Sequence, residues 1–271
     1  MSKSILVSGN SYVDSIIFTQ GFVVDGNNIC NHFSSTLGGV FNFLKVLKSK
    51  NHYIYSALSS SQTKLITNKS RSINLNITPT ESTCTSTIIA DQSNSQRTSF
   101  TINGTSRNYT YRNKSYFDYH HISYLDNLPN YTIKVLGEIK KNCGFLTADL
   151  CKQDINDKEI ITIIKKIALI DMLICSVNEV KALFKTNSIK IALSRLKDHV
   201  PKYVIHSPKR VYVRDDKYFD IRVPFKKNLQ VLGAGDIFCA NILKNMSLSM
   251  KLENAVKSAI PQTLKVLINE T

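Results

Sequence analysis

The spacing of apolar positions changes character along the chain. Ser4 to Ser8 (SILVS) is a short β-like run closed by Gly9, which predicts a buried first strand. From Thr36 to Lys50, Val40, Phe41, Phe43, Leu44, Val46 and Leu47 recur at helical spacing behind Gly38-Gly39, so a helix is expected to open at those glycines. Residues 51–118 are rich in Ser, Thr and Asn, with alternating segments TSTIIA (85–90) and TSFTIN (98–103). That texture predicts strands and turns with little helix. From His120 onward, strand-like runs alternate with helical periods. Strands are expected at 120–125, 144–150, 171–176 and 202–206, and as a pair at 210–215 and 218–223. Helices are expected at 128–141, 157–167, 178–185, 188–198, about 235–246 and 251–268. This alternation implies βαβ units and a largely parallel sheet, with the early strands as a β excursion over one edge. No internal repeat is visible.

Length and composition narrow the class. At 271 residues and 42% apolar, the chain can bury a core without disulfide or metal staples. A charged fraction of 20% and only 10 glycines exclude a collagen-like chain and argue against wholesale disorder. Lys+Arg number 35 against 20 Asp+Glu, a net charge of +15. The excess is dispersed over clusters at Lys45, Lys48 and Lys50, at Lys134, Lys140 and Lys141, at Lys209 and Arg210, and at Lys226 and Lys227. Dispersed charge suits an anionic small substrate or weak nucleic-acid binding, and solubility alone also explains it. The six cysteines form no CxxC pair and no zinc spacing, which fits free thiols in a reducing cytosol. The opening MSKSILVSGN is too short and too polar after residue 7 for a signal peptide, so a cytoplasmic location is expected. The most apolar stretch, Ile160 to Val177, is cut by Lys165, Lys166 and Asp171 and reads as helix then strand, not a membrane span. The N-x-S/T triplets at Asn76, Asn103 and Asn108 are chance products of such a composition.

The sharpest chemical feature is Val231-Leu232-Gly233-Ala234-Gly235-Asp236-Ile237-Phe238. Glycines before a helix let the backbone fold tightly, and the helix start presents unsatisfied N–H groups and partial positive charge. Those N–H groups can then form an anion hole for a phosphoryl group. Asp236 at its lip can accept a hydroxyl proton and orient the oxygen for in-line attack. The same residues would equally serve as ordinary compensation of a helix dipole.

Taken in order, these features resemble the ribokinase-like (PfkB-type) family of carbohydrate and nucleoside kinases. The resemblance rests on the G-A-G-D motif Gly233 to Asp236 and its apolar helix, and on Leu37-Gly38-Gly39-Val40-Phe41-Asn42, similar to a G-G-x-x-x-N sugar-binding segment with its asparagine one residue early. Gly9-Asn10-Ser11-Tyr12-Val13-Asp14 looks like a first substrate-contacting loop, and Gln96-Arg97-Thr98 resembles the return of a lid chain. The resemblance implies one ribokinase-like domain over 1–271: a doubly wound, mostly parallel α/β sheet flanked by helices, with a small β lid from about 10–36 and 84–118. It implies Asp236 as catalytic base, Gly233, Ala234 and Gly235 as anion hole, and Asp14, Gly38, Gly39 and Asn42 around the substrate hydroxyls. ATP and Mg²⁺ are the implied cofactors, a sugar or nucleoside the acceptor, and a lid edge can be shared between two chains.

The nucleotide side departs from the family pattern. In Val177-Asn178-Glu179-Val180-Lys181, Asn178 fits an N-x-x-E segment, but Lys181 stands where the glutamate is expected. Glu179 is two residues from Lys181 and does not share its helix face. The turn His206-Ser207-Pro208-Lys209-Arg210 lacks the family's glycine, and Lys209 or Arg210 could meet phosphate instead. Gln230-Val231-Leu232 replaces the acid and threonine usual before G-A-G-D. The alternative function is therefore a catalytically impaired kinase-like protein that binds a sugar or nucleotide as sensor or scaffold. Two other features are read as structural. His120-His121 lies on a strand, which points neighbours to opposite faces and cannot converge both on a metal. Tyr109, Tyr111, Tyr116 and Tyr119, with Arg107, Arg112 and Lys114 among them, are read as strand-face aromatics rather than a nucleic-acid stacking platform.

Overall fold

The computed structural model describes residues 2–19, 21–22, 30–66, 72–91, 96–111, 114–152, 154–224 and 232–268. Arg112, Lys226, Lys227, Gln230 and Val231 lie outside the described residues, as do positions 20 and 23–29 of the expected lid. Strands β1 (Ile5–Gly9), β2 (Ser11–Thr19), β3 (Cys30–Gly39), β4 (His52–Ser59) and β5 (Asn74–Thr80) come first. They are followed by β6 (Cys84–Asp91), β7 (Gln96–Ile102), β8 (Phe117–Ser123) and β9 (Cys143–Ala148). The remaining strands are β10 (Met172–Ser176), β11 (Lys202–His206), β12 (Arg210–Arg214) and β13 (Tyr218–Arg222). The helices are α1 (Ile133–Lys141), α2 (Asp157–Ile167), α3 (Val177–Leu183), α4 (Ile189–Leu196), α5 (Ala234–Ser247) and α6 (Leu252–Ile268).

Nine strands form one sheet in the order β13-β12-β11-β10-β9-β8-β1-β4-β5. It is parallel from β11 to β5 and antiparallel at β12 and β13. Its inner strands β1 and β10 are buried on both faces, as a sheet covered by helices on both sides requires. Ile5, Val7, Met172, Ile174 and Val204 pack under α5 and α6, whereas Leu6, Leu173, Cys175, Tyr203 and Ile205 pack under α1 to α4. Side chains close the starts of α1, α2 and α3. Thr132 accepts from the N–H of Val135 at α1, and Asn156 with Glu159 and Ser176 with Glu179 form reciprocal capping boxes at α2 and α3.

The small sheet has the order β3-β2-β6-β7. Its two faces differ. Asp14, Ser86, Ser99 and Thr101 line a cavity, while Phe33, Phe100 and Ile102 stand exposed. It ends at Ile102, short of the expected 118, and Phe117–Ser123 is β8 of the main sheet.

Two expectations are corrected. Residues 51–80 are not an excursion: β4 and β5 extend the main sheet in parallel, and Ile54 and Leu58 are fully buried. The polar texture of β5 is that of an edge strand, exposed at alternate positions. Behind Gly39 the chain forms a 3₁₀ helix, Val40–Lys45, rather than a helix carrying the apolar period through Leu47. The N–H of Val46 bonds back three residues to Phe43, and a turn at Ser49–His52 then feeds β4.

Candidate active site

Parallel α/β sheets bind ligands at the carboxyl ends of their strands, where the strand order reverses. Here β1 has β4 on one side and β8 on the other. Tyr124 just beyond β8, Asp149 just beyond β9, Ser176 at the end of β10 and His206 at the end of β11 line one cavity of about 720 Å³. The small sheet forms its opposite wall, and the first turn of α5 reaches into it.

Asp236, 6% exposed in the first turn of α5, lines this cavity. Gly233 caps that helix at φ 70°, ψ 8°, the left-handed region that favours glycine. A Cβ there would also lie 2.8 Å from the Asn42 amide. Asn42 uses that proximity: its Nδ2 donates to Oδ2 of Asp236 at 2.7 Å. The phenol of Tyr124 donates to the same carboxylate, 3.2 Å from Oδ1 and 3.1 Å from Oδ2. Burial pushes the Asp236 carboxyl up to about 7 and nearby Asp149 adds to the rise, while Asn42 and Tyr124 pull it back. A carboxylate poised near neutrality suits a general base. No side chain caps the start of α5. Its first N–H groups lack intrahelical acceptors by construction, so they can receive an anion.

Around this carboxylate the other groups are neutral or acidic. His121 on β8 approaches Asp149 at 3.3 Å, yet burial holds its ring down to about 3. His206 packs edge-on to Phe238 and is likewise held down to about 4 by burial. A Cβ on Gly235 would lie 3.3 Å from the His206 ring, so the glycine permits the close seat of α5 against β11. On the opposite wall, Asp14 of β2 lies over Gly38 of β3, where a Cβ would fall 1.9 Å from its Oδ2. Gly39 turns at φ 63°, ψ −131° into the 3₁₀ helix.

The family model described as pfkB family carbohydrate kinase matches residues 2–260. The chain belongs to that family. Solved structures agree on the fold. Ribokinase from Thermotoga maritima is 18% identical with a TM-score of 0.72, over 98% of this chain and 92% of that one. Adenosine kinase from Anopheles gambiae, in complex with a di(adenosine) tetraphosphate, is 12% identical with a TM-score of 0.78, over 98% and 96%. A fructokinase double mutant from Vibrio cholerae, bound to fructose, ADP and potassium ion, is 18% identical with a TM-score of 0.72, over 97% and 90%. No curated protein matches the sequence significantly. No helix among the described residues is long and apolar enough to cross a membrane.

Of the residues singled out in the kinase's sequence, Asp14, Gly39, Asn42, Asn178, His206, Gly233, Ala234, Gly235 and Asp236 line the cavity, and Gly38 backs Asp14. The early position of Asn42 has a geometric account. A 3₁₀ helix completes a turn in three residues, and Asn42 stands three past Gly39. Lys181 and Arg210 are not in the lining, and Arg210 pairs with Asp220 at 2.8 Å. Glu179 is in the lining instead, two positions before Lys181. It accepts from the Ser176 N–H at 2.7 Å, and burial, with Asp149 and Asp126 nearby, pushes it up to about 8. Tyr124, Asp149, Asn127 and Lys152 also line the cavity and were missed from sequence. Tyr124 and Asp149 follow a parallel strand directly, and that position is the signal that marks them.

Proposed function

We propose that this kinase transfers the γ-phosphoryl group of ATP to a hydroxyl of a sugar or nucleoside, with Asp236 as base. The observation that carries the reading is the buried Asp236 carboxylate, held by Asn42 and Tyr124 at a glycine-opened helix start inside the cavity. Asp14 and the polar side chains of the lid supply acceptors and donors for substrate hydroxyls. The acceptor hydroxyl gives its proton to Asp236 as its oxygen bonds to the γ-phosphorus and the bond to the ADP oxygen breaks. The amides of Ala234, Gly235 and Asp236 meet the charge on the transferring group. The lid wall excludes water that would otherwise compete as acceptor. Nucleotide use is supported by the ADP-bound fructokinase and the adenosine kinase complex.

Among the described residues no three His, Cys, Asp or Glu side chains cluster to hold a metal. Asp149 and Glu179 nonetheless put hard carboxylate oxygens on the cavity wall beside Asn178, a donor set that fits Mg²⁺ carried mainly by phosphate and water. Asn178 and Glu179 would receive its water shell, and the ion would neutralise phosphate charge.

The test is an ATP-consumption screen over sugars and nucleosides with Asp236→Asn beside it. The substitution is expected to lower turnover by about 10²- to 10⁴-fold, the worth of general-base catalysis. Undiminished turnover removes Asp236 from the mechanism. A folded protein that consumes no ATP with any acceptor and binds no ATP–Mg²⁺ in calorimetry leaves only the non-catalytic binder.

A further inference from the structure

Tyr124 has a backbone that its side chain does not favour. At φ 63°, ψ 48° it sits in the left-handed region, which L-residues with a Cβ rarely adopt. The backbone is pinned there at both ends. Its N–H donates to the Asp149 carboxylate, and its carbonyl accepts from the N–H of Asn127 at 2.8 Å. The ring rests edge-on to Tyr12 at 5.6 Å, and the Tyr12 hydroxyl in turn accepts from Asn127 Nδ2 at 2.6 Å. A phenylalanine would make the same ring contact. The hydroxyl adds one thing, the hydrogen bond to Asp236. Strain held in place by surrounding contacts points to function when its product is a group aimed at reacting atoms.

We propose that Tyr124 is a positioning residue for phosphoryl transfer: with Asn42 it fixes the Asp236 carboxylate so that a remaining lone pair faces the acceptor hydroxyl. This rests on the reading of Asp236 as base. An ionised carboxylate offers about four lone-pair directions, so two donors leave room for the substrate proton. The two donors come from different segments, the 3₁₀ helix and the end of β8, so the carboxylate cannot rotate without breaking one bond.

The groups that face Asp236 are Asp149 beyond β9, His121 on β8, Cys239 one turn along α5, and His206 of β11 beside Gly235. Burial keeps both histidines neutral and pushes the Cys239 thiol up. The hydrogen bonds from Asn42 and Tyr124 are the two largest pulls toward the charged form of Asp236, with His121 a smaller one. Removing the phenol hydroxyl takes a donor from the charged form, so Asp236 binds its proton more tightly and is ionised only at higher pH.

Tyr124→Phe tests this. The acid limb of kcat is expected to move up by about one pH unit, with turnover at pH 7 down about fivefold, largely recovered by pH 9, and KM for ATP unchanged. A limb that stays in place, or an equal loss at every pH, overturns the proposal. A second measurement needs no turnover: carbon-13 NMR titration of the Asp236 carboxyl in the substrate-free protein, wild type against Tyr124→Phe. An upward shift of the midpoint supports the proposal, and an unchanged midpoint in the folded variant overturns it. An upward shift in a protein that phosphorylates nothing defeats the kinase reading while leaving the tyrosine–carboxylate coupling established.

Discussion

On the cavity wall that carries Asp236, separate chain segments converge on one carboxylate. Asn42 arrives from the 3₁₀ helix, Tyr124 from the end of β8, and Asp149 lies behind from the end of β9. On the side running from Ser176 toward Arg210, polar side chains serve their own or the adjacent element. Glu179 caps α3, Arg210 pairs with Asp220 across β12 and β13, and Lys181 contributes nothing to the lining. The contrast has a physical reason. A base must be held within a fraction of an ångström and stripped of water, which takes donors from several directions. A polyphosphate brings its own charge and water shell and can be met by backbone amides and a single cation.

The largest expected effects fall on the first wall. Burial and Asp149 raise Asp236 from 3.8 to about 7 in the folded protein, so the native state holds this proton more tightly than the unfolded chain does. Stability therefore falls as pH rises from about 4 to about 7, and the full penalty is present above that window. Asp236→Asn removes the penalty together with the activity. At pH 8 the variant is expected to be more stable than wild type by roughly 1–3 kcal/mol in urea unfolding, with the gap closing below pH 4. A variant less stable than wild type at pH 8 would show that the carboxylate is not held at a cost.

Next in size is the seat of Asp14. A Cβ at Gly38 would lie 1.9 Å from the Asp14 carboxylate, and the atom that must yield is a side-chain end, not backbone. Gly38→Ala is thus expected to leave the fold intact and displace Asp14. KM for the acceptor should rise by about 10²-fold, the scale of a 1 Å misplacement, with KM for ATP little changed. Equal losses for both substrates would mean that the two walls are coupled more closely than their contacts show.

What was legible in the sequence follows the same division. The α5 start was readable because glycine spacing and an apolar period coincide at Gly233 to Phe238. The carboxyl-end half of the sheet was readable because buried parallel strands are apolar throughout, as in Met172–Ser176. Tyr124 and Asp149 were not. Their meeting depends on β8 and β9 lying side by side, with Ile122 opposite Ala148, which no local pattern encodes. Extending that strand to Leu150 hid Asp149 inside an element when it actually stands just past the strand end. β5 was misassigned to the excursion because an edge strand is polar at alternate positions, which blurs it into loop composition.

The smallest effects should fall among the cations on this second side, and their ranking sharpens the comparison most. The protein carries a net charge of +15, yet Lys152 is the one Lys or Arg among the described residues that line the cavity. Its backbone N–H donates to Asp126 at 2.8 Å and its ammonium pairs with Glu159 of α2, so both ends of the residue are fixed. It shares the cavity lining with Ser176, Asn178 and Glu179. Lys152→Met is expected to raise KM for ATP about tenfold, the worth of one hydrogen bond to a charged group, and to flatten the dependence of KM on ionic strength. Lys181→Met and Arg210→Met should change KM for ATP less than about twofold, since neither residue lines the cavity. Isothermal titration of ATP–Mg²⁺ into the three variants decides the ranking. A loss in Lys181→Met as large as in Lys152→Met would mean that α3 re-seats when nucleotide binds, and that this second side is assembled only in the complex.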